Sequence, residues 1–149
     1  MNKKILLSVA AVCTMGLSAG AWAAEFGTAA EAKAMAEKAA AAVKADKAGA
    51  LAKFNKGEGG FKEKDLYVFC GGPDGNFTAH PSLVGKSMKD LKDKAGKAMG
   101  EEFYKSAQEG KLAEVSYQWP RPGEEKLSEK VSYVTKVGDQ VCGVGYYKP

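Results

Sequence analysis

From Asp65 to Cys70 the chain alternates with a two-residue period. Leu66, Val68 and Cys70 fall on one side and Tyr67 and Phe69 on the other, which predicts a strand. Gly71-Gly72-Pro73-Asp74-Gly75 then joins a fixed proline φ, an aspartate able to bond its own backbone and glycines tolerant of positive φ, so the chain reverses. Asn76 to Ala79 return as a second short strand and deliver His80, the single histidine of the chain, directly before Pro81. Upstream, Thr28 to Phe54 are alanine-rich, free of proline and helical in period, with Ala32, Ala36, Ala39, Val43, Ala50 and Phe54 on one apolar stripe. Thr28 and Glu31 have the spacing of a capping box, and Gly57, Gly59 and Gly60 stop the helix. One helix over about residues 28–55 would be roughly 40 Å long, more than a small sheet can cover. Its C-terminal part, with Val43, Leu51 and Phe54, is expected to pack on the sheet, and its alanine-faced front to be loosely held or to meet a partner.

After the hairpin, Ser82 to Asp93 read as loop pinned by Leu83, Val84, Met88 and Leu91, and Lys94-Ala95-Gly96-Lys97 as a turn. Glu101 to Gln108 predict a short helix carrying Phe103 and Tyr104. Three strands follow: Ala113 to Trp119 with Val115, Tyr117 and Trp119 on one face; Lys130 to Val137 with Val131, Tyr133 and Thr135 on one face; and Gln140 to Tyr147 with Val141, Gly143 and Gly145 opposite Cys142, Val144 and Tyr146. Pro120-Arg121-Pro122-Gly123 separates the first two, and Gly138-Asp139 turns tightly between the last two. The prediction is an α+β domain: a long N-terminal helix packed on a five-stranded antiparallel sheet spanning about residues 61–147.

At 149 residues the chain suits one domain, and 45% hydrophobic content is ordinary for a folded one. Its 27% charged residues mix acids and bases around a net charge of +4, without the concentrated basic face of a nucleic-acid binder. Met1 to Lys4, the apolar run Ile5 to Leu17 and Ala21-Trp22-Ala23 read as a secretory signal peptide over residues 1–23, cleaved after Ala23, leaving residues 24–149 as the exported domain with no stable membrane anchor. The apolar run is shorter than the roughly 20 residues of a spanning helix. Cleavage also removes Lys3 and Lys4 and leaves the mature chain nearly neutral. Cys13 goes with the signal peptide. Cys70 and Cys142 remain, and an oxidising compartment favours a disulfide between them, closing a loop of about seventy residues. No CxxC or second histidine supports a redox or metal-binding pair, while two buried thiols stay open as an alternative.

Asp74-Gly75 with His80-Pro81, Leu83-x-Gly85-Lys86, Tyr117-x-Trp119-Pro120, Lys130-x-x-Tyr133 and Gly143-x-Gly145-Tyr146, in this order and spacing, resemble the single Cache domain, type 2, of bacterial extracytoplasmic sensors over about residues 28 to 147. The resemblance implies a PAS-like fold, with the long helix on one side of an antiparallel sheet of order 2-1-5-4-3 and a small ligand on the other side under loops. In that order the first and last strands are neighbours, which sets Cys70 beside Cys142. No output module follows Pro149 in the sequence, which resembles the stand-alone Cache proteins of the periplasm.

Such a pocket is expected to use Tyr67, Phe69, Tyr117, Trp119 and Tyr133 as apolar walls with polar tips, and His80, Arg121 and Lys130 as candidate cations. That chemistry suits a two- to four-carbon organic acid, its carboxylate held by Lys130, Tyr133 and His80, with Gly143 and Gly145 leaving room for the ligand. Each residue also has a structural reading: His80 as a lock on the hairpin, Tyr117 and Trp119 as core, Lys130 and Arg121 as solvated charges, the two glycines as relief for packing, Asp74-Gly75 as turn and Lys86 as a loop anchor. No cofactor is expected: the chain lacks CxxCH and clustered metal ligands. No Gly-x-Ser-x-Gly elbow or paired-carboxylate motif supports a small hydrolase, so no enzyme activity is expected. The remaining alternative is an adaptor that docks on a membrane-bound sensor or transporter through the alanine-faced helix.

Overall fold

The structure, a computed structural model, describes residues 25–149; the predicted signal peptide, with its cleavage after Ala23, lies outside the described residues. The predicted long helix is two helices, α1 (Ala29–Ala45) and α2 (Lys47–Lys56). Thr28 and Glu31 form the expected capping box, with Thr28 Oγ1 accepting from the Glu31 N–H at 3.2 Å and Glu31 Oε2 from the Thr28 N–H at 2.8 Å. The break falls at Asp46, whose backbone is extended (φ −154°, ψ 92°). Its N–H closes α1 on the Ala42 carbonyl and its carboxylate caps α2 by accepting from the Gly49 N–H at 3.1 Å. An aspartate that serves as C-cap and N-cap at once lets the chain turn without proline. Gly57, in the left-handed region at φ 68°, then ends α2.

The strands are β1 (Lys62–Glu63), β2 (Leu66–Gly71), β3 (Phe77–Ala79), β4 (Ala113–Pro120), β5 (Leu127–Val137) and β6 (Gln140–Tyr147), with α3 (Met99–Ser106) between β3 and β4. The sheet is antiparallel throughout and has six strands where five were predicted, in the order β1-β2-β6-β5-β4 with β3 also on β2. The additional strand, β1, shares the outer edge of β2 with β3: β1 takes Leu66 and Tyr67, β3 takes Cys70 and Gly71. The chain's first long strand thus pairs with its last.

The sheet divides two cores. On one face Ala32, Met35, Ala36, Ala39 and Val43 of α1, and Ala50 and Phe54 of α2, pack on Leu66, Val68, Cys70, Cys142 and Val144. The alanine front of α1 is therefore not loosely held. Ala32 and Ala39 are fully buried, because small side chains let the helix approach the sheet closely. The break at Asp46 also resolves the excess length, turning α2 onto β2 and β3. On the other face Tyr67, Phe69, Phe77, Val115, Tyr117, Val134 and Val141 pack on α3 through Met99 and Phe103 and on the preceding loop through Met88. Of the predicted loop pins, Met88 is fully buried, Leu83 and Leu91 are half-buried, and Val84 is exposed.

Cys70 and Cys142 pair in the β2–β6 register with their Cα atoms 4.1 Å apart and form the disulfide, buried beneath the helices. Loop closure over this separation carries on the order of 4 kcal/mol. Urea unfolding with and without reductant, or of a Cys70→Ser/Cys142→Ser variant, is expected to show a loss approaching that size, with the m-value changed by the freed denatured chain.

Candidate functional site

The face away from α1 and α2 carries the polar aromatic groups. In the β4–β5–β6 register Tyr117, Lys130 and Tyr147 stand in one row and Val115, Ser132 and Gly145 in the next. Lys130 is buried, at 1% exposure, and its stem crosses the backbone of Gly145. A Cβ at Gly145 would run into Lys130 Cε and Ser132 Oγ, so the glycine is the groove in which the lysine lies. Lys130 Nζ donates to the Tyr67 hydroxyl at 3.0 Å and sits 4.2 Å from the Tyr67 ring centroid and 4.8 Å from that of Tyr147. It takes part in none of the five ion pairs among the described residues. An ammonium has three donors. Here one has a protein partner and no carboxylate neutralises the charge.

The surrounding hydroxyls hold their protons. Burial, with the Tyr67 oxygen beside it, pushes Tyr117 well above its usual value, against the opposing hydrogen bond to Ser132 Oγ at 2.8 Å. Tyr147 is also pushed up, first by burial, then by Tyr67 and Asp65, against the pull of Arg121. Its hydroxyl donates to the Pro120 carbonyl at 2.7 Å. His80 is held down at about 4, first by burial and then by the charge of Lys130. Its Nδ1 accepts from the Ser82 and Leu83 N–H groups at 3.0 and 3.2 Å, so the proton of the neutral ring is on Nε2. The ring thus locks the loop after the hairpin, as the structural reading expects, and it also lines the cavity beneath, edge-on to Tyr67 and Phe77.

That cavity is lined by Tyr67, Phe69, Phe77, His80, Leu91, Met99, Phe103, Tyr117 and Trp119. The space left to a water-sized sphere is about 10 Å³, roughly enough for one water molecule. The surface expected to enclose a ligand is therefore nearly closed by its own side chains. Leu91 and Trp119 are its half-buried walls; the other seven are buried. A much larger concavity of about 890 Å³ lies elsewhere, an open groove between α1 and residues 109–112 and 135–139, with no buried cation.

Of the predicted site residues, Tyr67, Phe69, His80, Tyr117 and Trp119 line the cavity, and Lys130 reaches it through the Tyr67 hydroxyl. Tyr133 does not join them. It lies on the helix face, half-buried and stacked on Tyr146 at 6.0 Å, because alternation along β5 puts it opposite Lys130 and Ser132. Gly143 leaves no room for a ligand: a Cβ there would come within 2.6 Å of Phe69 Cζ, so the ring already occupies that space. Arg121, read as a candidate cation or a solvated charge, is tucked against the rings of Phe26 and Tyr147. Lys86 is exposed.

Two contributors carry no usable sequence signal, Tyr147 and Asp65, and a third, Asp93, carries only a weak one. Asp93 is buried, which raises its pKa, but N–H bonds from Gln118, Lys97 and Ala95 outweigh this and hold it low. Through the Gln118 bond the 93–97 loop covers the outer edge of β4. An Asx-type spacing, Asp93-x-Ala95-x-Lys97, was the one available sign.

The family model described as single Cache domain 2 matches residues 23–147. The chain is similar to the solved structure of a methyl-accepting chemotaxis protein from Vibrio parahaemolyticus, at 27% identity and a TM-score of 0.64, covering 79% of this chain and 86% of that one. It is also similar in fold to a Cache chemosensory domain described for carboxylic acid recognition, at 21% identity and a TM-score of 0.62 over 80% and 92% of the two chains. A periplasmic sensor domain of a chemotaxis protein shares the fold at 22% identity and a TM-score of 0.60, over 78% and 88%. No curated protein sequence matches the chain.

Two measurements check the geometry. The folded His80 pKa of about 4 lies below the ordinary imidazole value of 6.5, so the unfolded chain binds a proton that the folded one refuses. The stability this represents is whole above the unfolded pKa and is lost as pH falls through the interval, by ~1.4 kcal/mol per pH unit. Urea unfolding between those pH values is expected to show that slope in the wild type and to lose it in His80→Asn, whose Oδ1 can accept in place of Nδ1. Gly145→Ala is expected to cost ~1–3 kcal/mol by forcing Lys130 and Ser132 aside, whereas alanine at the solvent-open turn glycine Gly123, strained only by its positive φ, is expected to cost ~1 kcal/mol.

Proposed function

Because the chain belongs to the single Cache domain 2 family, whose members are extracytoplasmic sensor domains, we propose that it is a periplasmic ligand-binding domain for a small organic carboxylate. The single observation that carries this is the buried Lys130 ammonium, bonded to one tyrosine hydroxyl and to no carboxylate. A charge taken out of water is costly unless paired. A carboxylate arriving at Nζ supplies the missing partner, and two further groups near it, the hydroxyl of Tyr67 and the Nε2–H of His80, can donate. The carbon chain then meets Phe69, Phe77, Leu91, Met99, Phe103 and Trp119.

Space for one water does not admit even a two-carbon acid, so binding displaces the two half-buried walls, Leu91 and Trp119, outward. A short acid is favoured because every added methylene requires further displacement. Export follows the predicted signal peptide, with cleavage after Ala23. The carboxylic acid recognised by a structural neighbour agrees with this ligand class.

A second reading, docking on a membrane-bound sensor or transporter, is supported by the open groove beside α1. Its lining combines apolar Ala40, Ala41, Val43, Leu112 and Val137 with charges of both signs, among them Lys44, Lys111, Glu109 and Asp139.

Thermal and urea unfolding against a panel of organic acids, amino acids and amines separates the two. At a hundred times its dissociation constant a ligand adds ~2.7 kcal/mol, and a two- to four-carbon acid is expected to do so for the wild type and not for Lys130→Met. Without ligand, Lys130→Met is expected to be no less stable than wild type, since it removes an unpaired buried charge. Equal stabilisation of both proteins by acids would overturn the role of Lys130, and a panel without effect would favour docking.

A further inference from the structure

Arg121 is the second cation on this face, and its contacts are all long. It follows Pro120 at the end of β4, and its side chain is 17% exposed. Nη1 approaches Ser128 Oγ at 3.4 Å, Nη2 the Lys148 carbonyl at 3.4 Å, and Nε lies 3.7 Å from Asp65 Oδ2. Guanidinium–carboxylate pairs ordinarily close to about 2.7–2.9 Å, often with two parallel bonds. Here Nε and Asp65 Oδ2 are both buried without a hydrogen-bond partner among the described residues. The other Asp65 oxygen is engaged, accepting from the Gly27 N–H at 2.7 Å. What holds the guanidinium is mainly stacking, 4.5 Å from the Phe26 ring centroid and 5.1 Å from that of Tyr147.

Lys130 flanks the same Tyr147 ring. The three buried or nearly buried charges here are thus Lys130, Arg121 and Asp65, one carboxylate among two cations. Desolvated positive charge in excess calls for one more anion.

Resting on the carboxylate reading above, we propose that Arg121 is the movable half of the anion site. In this structure it is parked against Asp65, Phe26 and Tyr147. When a carboxylate reaches Lys130, the guanidinium turns about its side-chain torsions toward it and supplies the planar two-donor fork that an ammonium lacks. Turning breaks no short hydrogen bond, but it gives up the two ring contacts and leaves the Asp65 carboxylate without its cation. Asp65 is therefore the competitor: it holds Arg121 in place, so it lowers affinity for the incoming anion. The motion also takes the guanidinium off the ring of Phe26, which is 41% exposed and lies directly in front of α1, so occupancy of the site changes the packing of the segment that leads into the helix.

Propionate titrated calorimetrically into the purified protein, with hydrogen exchange at residues 25–28, tests this. Arg121→Gln is expected to weaken propionate binding roughly tenfold or more, the size of a lost charge-assisted bond. Arg121→Lys is expected to fall between. Asp65→Asn, which keeps an acceptor for the Gly27 N–H, is expected to tighten binding severalfold, an effect that a merely structural Asp65 would not produce. Exchange at residues 25–28 is expected to rise with propionate in the wild type and to stay level in Arg121→Gln. Unchanged affinity in Arg121→Gln, or weakened binding in Asp65→Asn, overturns the proposal while leaving the Lys130 site standing. Should Arg121→Gln not fold, the direction of the Asp65→Asn effect decides alone. Propionate binding that survives Lys130→Met, or no binding to the wild type, instead removes the carboxylate reading and this inference with it.

Discussion

Pairing of β2 with β6 decides the two faces of this domain. Val68, Phe69, Cys70 and Gly71 meet Val144, Gly143, Cys142 and Val141 in antiparallel register, so residues far apart in the chain become direct neighbours at its centre. Even-numbered side chains of both strands then face α1 and α2, and odd-numbered ones face α3 and the loop before it. A slip of one residue would exchange the faces, sending Tyr67 and Phe69 beneath the alanines of α1 and stranding the cysteines. The disulfide locks the register on the helix side. On the other side the same register brings Phe69 over Gly143 and leaves Gly145 as a trough for Lys130.

The two cores differ in kind. Beneath the helices, alanines, aliphatic side chains and the disulfide form an apolar layer in which close approach of α1 does most of the burying. On the opposite face, aromatic rings carry hydroxyls that bond one another, the backbone and a lysine, so the layer is apolar in area and polar at one end. Such a layer is sensitive to charge, because the low local dielectric strengthens each electrostatic contact and penalises each unpaired one. The neutral state of His80 and the protonated tyrosines follow from that environment. The polar end also borders the entrance to α1 through Asp65 and Gly27, which gives the aromatic face a physical connection to the chain in front of the helix.

Much of the architecture was legible along the chain because it rests on short-range rules. The capping box at Thr28 and Glu31, the glycine stop at Gly57, the Pro-Asp-Gly reversal and the alternation of β2, β4 and β6 need only a few neighbouring residues to declare themselves. Asp46 was a short-range signal that went unread: an aspartate three residues before Gly49 is itself a cap, and it divides the helix despite the absence of proline. The two-residue β1 carries too little pattern to be seen; its pairing with β2 comes from the turn at Lys64 and Asp65. Tyr133 has the chemistry of a site residue but not the parity: Lys130 and Tyr133 are three apart in a strand, and an odd spacing puts them on opposite faces.

By itself, then, the sequence determined the order and kind of elements apart from β1 and the break at Asp46, the apolar stripe of α1 and the alternation that assigns Tyr67, Phe69, Tyr117 and Trp119 to one face, since each depends on local backbone period and composition. Only the tertiary structure decided that Lys130 is buried instead of solvated, that Asp46 turns the second helix onto the hairpin, that Arg121 rests against Phe26 and Tyr147, and that the space between the rings is nearly closed. Burial and cavity size depend on which distant side chains arrive at the same place, and a lysine reads identically along the chain whether a glycine on the neighbouring strand leaves it a trough or not.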